Sequence, residues 1–356
     1  MNINYNFNSL TNQPLPELDG REVLSNLTPN QVKSNKATPL LNSSGELTCP
    51  SFATSDLFIY NRQYIKHKSK LKEWEFYQVF NQKYCLQVTY GHVTYAGNAC
   101  FTLIDLQTGI RHVTSVFRLF CSRGMALPTT SGHIHNLQFY NKKLSLFISN
   151  AKDSRSITCS DSSNATAEFV LNNSGDAMCY CIPFKKKLFY YNYKRLFDIK
   201  SIKVSLEGKD IDFSQAIALV DSGRGCWPYR HEWLWGMASG KSGEQTIGLN
   251  IGYGNSDLGQ TNENMLFVDG VAHKLGGITI THELDYNKDW QITSYDDSVS
   301  LIFKPFFDNA TQTNLLVVHN RCHQVFGHYF GRIVVDGLVV QLNNVLGFCE
   351  HANNRW

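Results

Sequence analysis

The chain lacks any run of apolar residues approaching the roughly 20 that a membrane-spanning helix needs, and it carries only 9 Pro and 5 Met among 356 residues. Charge is sparse. Asp, Glu, Lys and Arg make up 18%, the formal net charge is +3, and the basic residues are scattered. No nucleic-acid partner is expected, because tracking phosphates takes a basic stripe. The opening Met1-Asn2-Ile3-Asn4-Tyr5-Asn6 has no basic segment leading into an apolar run. No secretory leader is therefore expected, and a cytoplasmic location is the expectation. There is also no Gly-x-Ser-x-Gly elbow and no His-Glu-x-x-His, and the glycines of Gly248–Gly254 are not followed by the Lys-Ser/Thr of a phosphate loop. A serine triad, a zinc peptidase and a P-loop thus have no local support.

What is abundant is aromatic surface: 22 Phe, 17 Tyr and 6 Trp, or 13% of the chain, within a hydrophobic fraction of 42%. These are strand formers, and they are enough to bury a large core. The ten cysteines read as reduced, buried thiols in a chain without a leader. Cys179-x-Cys181 is the single close pair, and it reads as structural because no second pair stands at zinc-site spacing.

Residues 1–37 are polar and Asn-rich, which predicts an arm ahead of the globular part. From Thr38 the pattern is period two. Strands are expected at Leu71–Phe80, Tyr84–Tyr90, Ala99–Asp105, Val113–Leu119, His133–Phe139, Leu144–Ser149 and Ala167–Leu171. Asp269-Gly270 and Asp336-Gly337 each separate two alternating apolar runs. Asp-Gly suits the positive φ angles of a type I′ turn, so both predict hairpins. Residues 347–356 are expected to end the chain as a turn or short helix. The pattern predicts an all-β chain with few short helices, built as two consecutive antiparallel β-barrels. The division adopted is an arm at 1–37, a first barrel at 38–200 and a second at 201–356.

The densest segment is Asp221–Gly240, with three of the six tryptophans between Trp227 and Trp235. If a strand runs from Tyr229, then Tyr229, His231, Trp233, Trp235 and Met237 share one face, and Arg230, Glu232 and Leu234 take the other. Such a wall suits an apolar, elongated or ring-bearing ligand oriented by polar groups at one end. The same residues also fit a filled barrel, with Asp221, Arg224 and Arg230 as buried ion pairs at its entrance. On spacing alone the filled barrel is the better reading.

Downstream, Gly248-Leu249-Asn250-Ile251-Gly252-Tyr253-Gly254 reads as a strand kinked by glycine, and Glu263 as either an inward polar group or a turn cap. His319, Arg321 and His323 share one strand face; Gln324, Phe326 and His328 share the other. Alternating histidines can ligate a metal. No clear carboxylate partner accompanies them in sequence, so no metal and no cofactor are expected.

At these residues the chain resembles domain-of-unknown-function family 2804 over nearly the whole globular part. The resemblance is carried by Leu71-Lys72-Glu73-Trp74-Glu75, Phe189-Tyr190-Tyr191-Asn192 and Asp221-x-x-Arg224-Gly225-x-Trp227-Pro228-Tyr229-Arg230-x-x-Trp233-x-Trp235. It continues through Asn250-x-Gly252-Tyr253-Gly254, Glu263-Asn264, His323-Gln324-Val325-Phe326-Gly327 and Gly347-Phe348-Cys349-Glu350. The family is remotely similar to the hydroxyneurosporene-synthase (carotenoid hydratase) group. The resemblance implies a two-barrel, lipocalin-like fold with an apolar cavity, and it does not by itself imply a reaction.

Two functions remain open on these grounds. The first is a hydratase, isomerase or cyclase acting on a polyene or isoprenoid-like substrate. Asp221 or Glu263 is then the proton donor, and Trp227, Tyr229, Trp233 and Trp235 line the cavity. Arg224 and Arg230 orient a polar end, and the quoted motifs add Asn250, Tyr253, Asn264, His323 and Gln324 as ligand contacts. An arginine beside Asp221 would lower its pKa and turn it into a structural partner. The second is a non-catalytic carrier of a hydrophobic small molecule. A protein with filled barrels and no pocket is a third.

Overall fold

The computed structural model describes residues 2–4, 31–48, 52–120, 124–253, 262–314 and 319–355. Most of them lie in strands, paired antiparallel in the three large sheets, with two single-turn 3-10 helices at Arg62–Tyr64 and Lys68–Lys70. The all-β expectation holds. Three sheets carry the architecture. The first has eight strands in the order Phe52–Ala53, Met178–Pro183, Phe189–Phe197, Ile217–Cys226, Leu71–Phe80, Tyr84–His92, Ala96–Asp105 and Arg111–Leu119. The second has six: Lys209–Ile211, Ile199–Leu206, Thr166–Asn172, Ser154–Asp161, Leu144–Asn150 and His135–Tyr140.

The third sheet has ten strands and contains everything from Arg230 onward. Its centre is His319–Val335, Leu338–Arg355 and Arg230–Ser242, hydrogen-bonded side by side. Strand Asn2–Asn4 joins its edge against Thr281–Glu283. The rest of the expected N-terminal arm through Asn30 lies outside the described residues.

Burial patterns explain why some strands alternate and others do not. Leu144–Asn150 and Trp290–Ser294 alternate because one face packs and the other meets water. Leu71–Phe80 is largely buried on both faces, because the first sheet is sandwiched. One side shares a core with the second sheet, including Val88, Phe101, Ile148 and Phe169. The other side meets the third sheet through Phe80, Cys85, Leu219, Trp235, Met237, Phe326 and Phe348. The third sheet curls round its own core of Leu249, Ile280, Trp290, Phe303 and Tyr329.

Both Asp-Gly hairpins form as expected. Asp269 and Gly270 have φ of 49° and 80°, and Asp336 and Gly337 have 50° and 78°. One expectation is corrected. Residues 347–355 form no helix; they continue strand Leu338–Arg355, which has a hydrogen-bonded neighbour on each side along that stretch. Full pairing on both edges overrides any local tendency to turn. The first and second sheets draw strands from both sides of residue 200. Glu207-Gly208 is a hairpin turn within the second sheet, and Ile217–Cys226 lies between Phe189–Phe197 and Leu71–Phe80 in the first. The link to the third sheet is Trp227-Pro228-Tyr229.

Candidate functional site

Strand Ile217–Cys226 decides which charges can meet. Alternation turns Leu219, Asp221 and Gly223 toward the third sheet, and Val220, Ser222 and Arg224 into the core shared with the second. Asp221 and Arg224 are therefore on opposite faces, and the expected ion pairing of Asp221, Arg224 and Arg230 does not occur. Arg224 donates from Nη1 to Ser131 Oγ at 2.6 Å and to Ser222 Oγ at 2.9 Å, and from Nε to the Pro128 carbonyl at 3.2 Å. Arg230 is exposed, opposite Arg355.

Asp221 is bonded by neutral donors. Trp74 Nε1 donates to Oδ2 at 3.1 Å and Asn192 Nδ2 donates to Oδ1. Burial raises the Asp221 pKa, and the charge of Lys194 with the two hydrogen bonds only partly offsets it. Gly223 is what admits Trp74: a Cβ at Gly223 would run into the indole ring.

Lys194 is Asp221's register partner, yet its ammonium is 2.5 Å from Glu263 Oε2. Glu263 also accepts from Tyr180 Oη at 3.1 Å and from Asn250 Nδ2 at 3.2 Å. Its carboxylate lies against Gly252, where any side chain would clash with it. Asn250 Oδ1 accepts from Trp235 Nε1 at 2.8 Å, and Lys194 Nζ lies 4.0 Å from the Trp235 ring centroid.

From the third sheet comes a third carboxyl, Glu350, which alternation places on the same face as Leu346 and Phe348. Trp233 Nε1 donates to its Oε1 at 3.0 Å and Gln324 Nε2 approaches Oε2 at 3.5 Å. Gln324 Oε1 in turn accepts from Gln87 Nε2 at 2.7 Å, which ties the first sheet to the third. Burial pushes the Glu350 pKa up to about 7, and the negative charge of Asp221 adds to the rise. The Trp233 hydrogen bond and Lys194 act in the opposite sense.

Three indole N–H groups, from Trp74, Trp233 and Trp235, thus end on one buried polar cluster. Their rings belong to a wider aromatic wall, with Tyr190 and Trp227 centroids 4.4 Å apart, Trp227 and Trp233 5.9 Å apart, and Trp74 and Trp227 6.0 Å apart. The cluster holds three carboxyls, Asp221, Glu263 and Glu350, and Lys194 bonds to Glu263. Among the described residues neither Asp221 nor Glu350 hydrogen-bonds to a cation. A buried carboxyl in that position is held toward its protonated form.

Of the residues expected at a site, Asp221, Glu263, Trp227, Trp233, Trp235, Asn250 and Gln324 meet here. Tyr229 does not: it is 46% exposed. Asn264 braces a loop, accepting from the Gly252 N–H at 2.8 Å and donating to the Gly276 carbonyl at 2.7 Å. Tyr253 ends its strand, and its side chain is outside the described residues. His323 faces the interior of the third sheet, one residue out of phase with Gln324. Sequence reasoning assigned no role to Glu350, Lys194, Trp74, Tyr190 or Asn192. Lys194 and Glu350 carry a usable signal: each is a charge closing a strongly apolar or aromatic run, Phe189–Tyr193 and Leu346–Cys349.

A family model described as Domain of unknown function (DUF2804) matches residues 31–356. Among solved structures, kievitone hydratase from Nectria haematococca covers 91% of this chain and 96% of its own, with a TM-score of 0.49 and 13% identity. CghA with Sch210972 covers 91% and 97%, with a TM-score of 0.40 and 8% identity. Likeness at this level carries no argument about what this chain does. No curated protein sequence matches the chain.

Proposed function

The chain belongs to the DUF2804 family, and we propose that it transfers protons to and from an unsaturated, largely apolar small molecule held between its first and third sheets. The observation that carries this reading is the pair of carboxyls that hydrogen-bond to no cation among the described residues, Asp221 and Glu350, both raised in pKa and both bonded by indole N–H groups. A carboxylic acid kept protonated near neutral pH can donate to an alkene carbon. The cation that forms is stabilised by the faces of Trp74, Trp227 and Trp233. Water then adds to it and loses a proton to the carboxylate that the donation left behind, which is hydration, or that carboxylate takes a neighbouring C–H proton, which is isomerisation. Glu263 is a weaker donor candidate than Glu350 because Lys194 engages it directly. Its part is to hold Lys194 and Asn250 in place.

Room for a ligand is supported by partial accessibility. Trp74, Phe76, Trp233 and Glu350 all belong to the facing surfaces, and each retains solvent-accessible area while Phe80, Trp235 and Phe348 beside them are sealed.

The test uses farnesol and retinol as probes, incubated with the protein in deuterated water and followed by mass spectrometry. The expected result is product carrying added water or carbon-bound deuterium, abolished by Glu350→Gln with probe binding retained. Trp233→Ala should weaken binding of Nile red at least tenfold relative to an exposed Lys209→Gln control. Equal dye binding in the two variants overturns the pocket. Dye and probe binding with no deuterium incorporation overturns the enzyme and leaves the carrier.

A further inference from the structure

The interior face of the third sheet carries a second polar constellation that the inter-sheet site does not use. Three neighbouring strands bring their ends together in register, so that residues form rungs across Arg230–Ser242, Leu338–Arg355 and His319–Val335. The outermost rung is Arg230, Arg355 and His319; the next is Glu232, Asn353 and Arg321; the third is Leu234, His351 and His323. Rungs on one face are about 7 Å apart, within the reach of an arginine side chain.

The third rung is locked. Glu232 Oε1 is 2.7 Å from His351 Nε2, and His351 Nδ1 is 2.6 Å from Tyr286 Oη. The Tyr286 ring lies parallel to His323, with centroids 3.9 Å apart and planes 2° apart. His323 Nδ1 is 2.7 Å from Asp308 Oδ2, and its Nε2 faces Arg321 Nε at 3.3 Å. In that last contact Nε2 accepts from Arg321, which leaves Nδ1 to donate to Asp308. The two nearby carboxylates, Glu232 and Asp308, are therefore engaged by histidines.

The outer rungs are different. Arg230 and Arg355 are register partners across a strand pair, so the outermost rung is basic. Among the described residues neither Arg230 nor Arg321 forms a salt bridge, and both are exposed. Arg230 and Arg321 stand on the same sheet face as the stacked Tyr286–His323 pair, and the planar fork of a guanidinium matches a carboxylate or phosphate.

We propose that this ladder is a second ligand site, in which Arg321 and Arg230 hold the carboxylate or phosphate of a small organic anion over the stacked Tyr286–His323 pair. The Tyr286–His351–Glu232 chain keeps the floor in one hydrogen-bonded state beneath it. The site stands apart from the proton-transfer reading, since Gln324 and Glu350 face the other side of the same strands.

The experiment is a nuclear magnetic resonance titration of the full chain with 15N-labelled histidine. Inorganic phosphate and citrate are added separately at constant ionic strength. Saturable movement of the His323 or His351 imidazole signals is expected with at least one anion. Response to phosphate alone identifies a phosphate-bearing ligand, and response to citrate alone a carboxylate-bearing one. Arg321→Gln should weaken the response at least tenfold, and Lys209→Gln should leave it unchanged. Arg230→Gln, an exposed position at the strand's first residue, serves the same purpose if Arg321→Gln unfolds. No saturable shift with either anion, or the same affinity in folded arginine variants, overturns the proposal.

Discussion

Replacing Glu350 by glutamine keeps the shape of the side chain and an oxygen for the Trp233 N–H while removing the titrating group. Its folded pKa is about 7, against an ordinary 4.5 for a glutamate. A carboxyl whose pKa is higher in the folded state binds its proton more tightly there. It costs nothing below about pH 4.5, where both states are protonated, and its cost grows as pH rises from 4.5 to 7. The gap from 4.5 to about 7 at about 1.4 kcal/mol per pH unit gives about 3 kcal/mol at pH 8. Glu350→Gln should therefore gain stability relative to the parent by up to about 3 kcal/mol between pH 4 and pH 8. Urea unfolding of both proteins at intervals across that range measures it. A stability difference that does not change with pH would refute the premise that Glu350 is held protonated by its surroundings, and with it the proton donor.

Trp233→Phe removes the hydrogen bond that lowers the Glu350 pKa, so that pKa should move above 7, read from the 13C carboxyl shift. Glu73 has the opposite linkage. Burial alone would raise it, but His92, Arg62 and Tyr60 bring it down to about 2. Its stabilisation is present above about pH 4.5 and is lost as pH falls toward 2. Glu73→Gln should cost about 3 kcal/mol at pH 7, and much less at pH 2, by urea unfolding at each. Gly223→Ala forces the Trp74 ring off its strand and should cost about 1–3 kcal/mol, with loss of the protected Trp74 indole N–H in hydrogen exchange.

Strand positions and hairpins were readable because they depend on local rules. Leu71–Phe80 has the same limits in sequence and structure, and Asp269-Gly270 and Asp336-Gly337 take the backbone angles their residue types favour. The sandwiching of the first sheet was not readable, because it is set by which sheets stack. A strand buried on both faces looks like any apolar run. That one fact governs the chemistry. It separates Asp221 from Arg224, which are three residues apart and so share no face of a strand, and it delivers Asp221 to Glu350, 129 positions later. Counting charges along Asp221–Arg230 suggested ion pairs; counting them by face leaves two carboxyls and one lysine already bonded to a third.

The same parity rule divides Gln324 from His323 and Glu350 from His351. Each of two adjacent strands thus contributes one residue to the inter-sheet cluster and its neighbour to the histidine ladder. A substitution that slips the register of Leu338–Arg355 by one residue would exchange the two sets, turning His351 toward Trp233 and Glu350 into the interior of the third sheet. Such a slip is opposed by the Asp336-Gly337 turn, whose paired positive φ angles set the pairing of Val335 with Leu338. Lengthening that turn by one glycine should therefore disturb both clusters together. Insertion of a residue in the exposed Gly243-Glu244 turn, which lies beyond the far end of Arg230–Ser242, should leave Trp233 and His351 in place. Indole and imidazole resonances report both outcomes, and disturbance of one cluster without the other in the lengthened turn would show that register is set elsewhere.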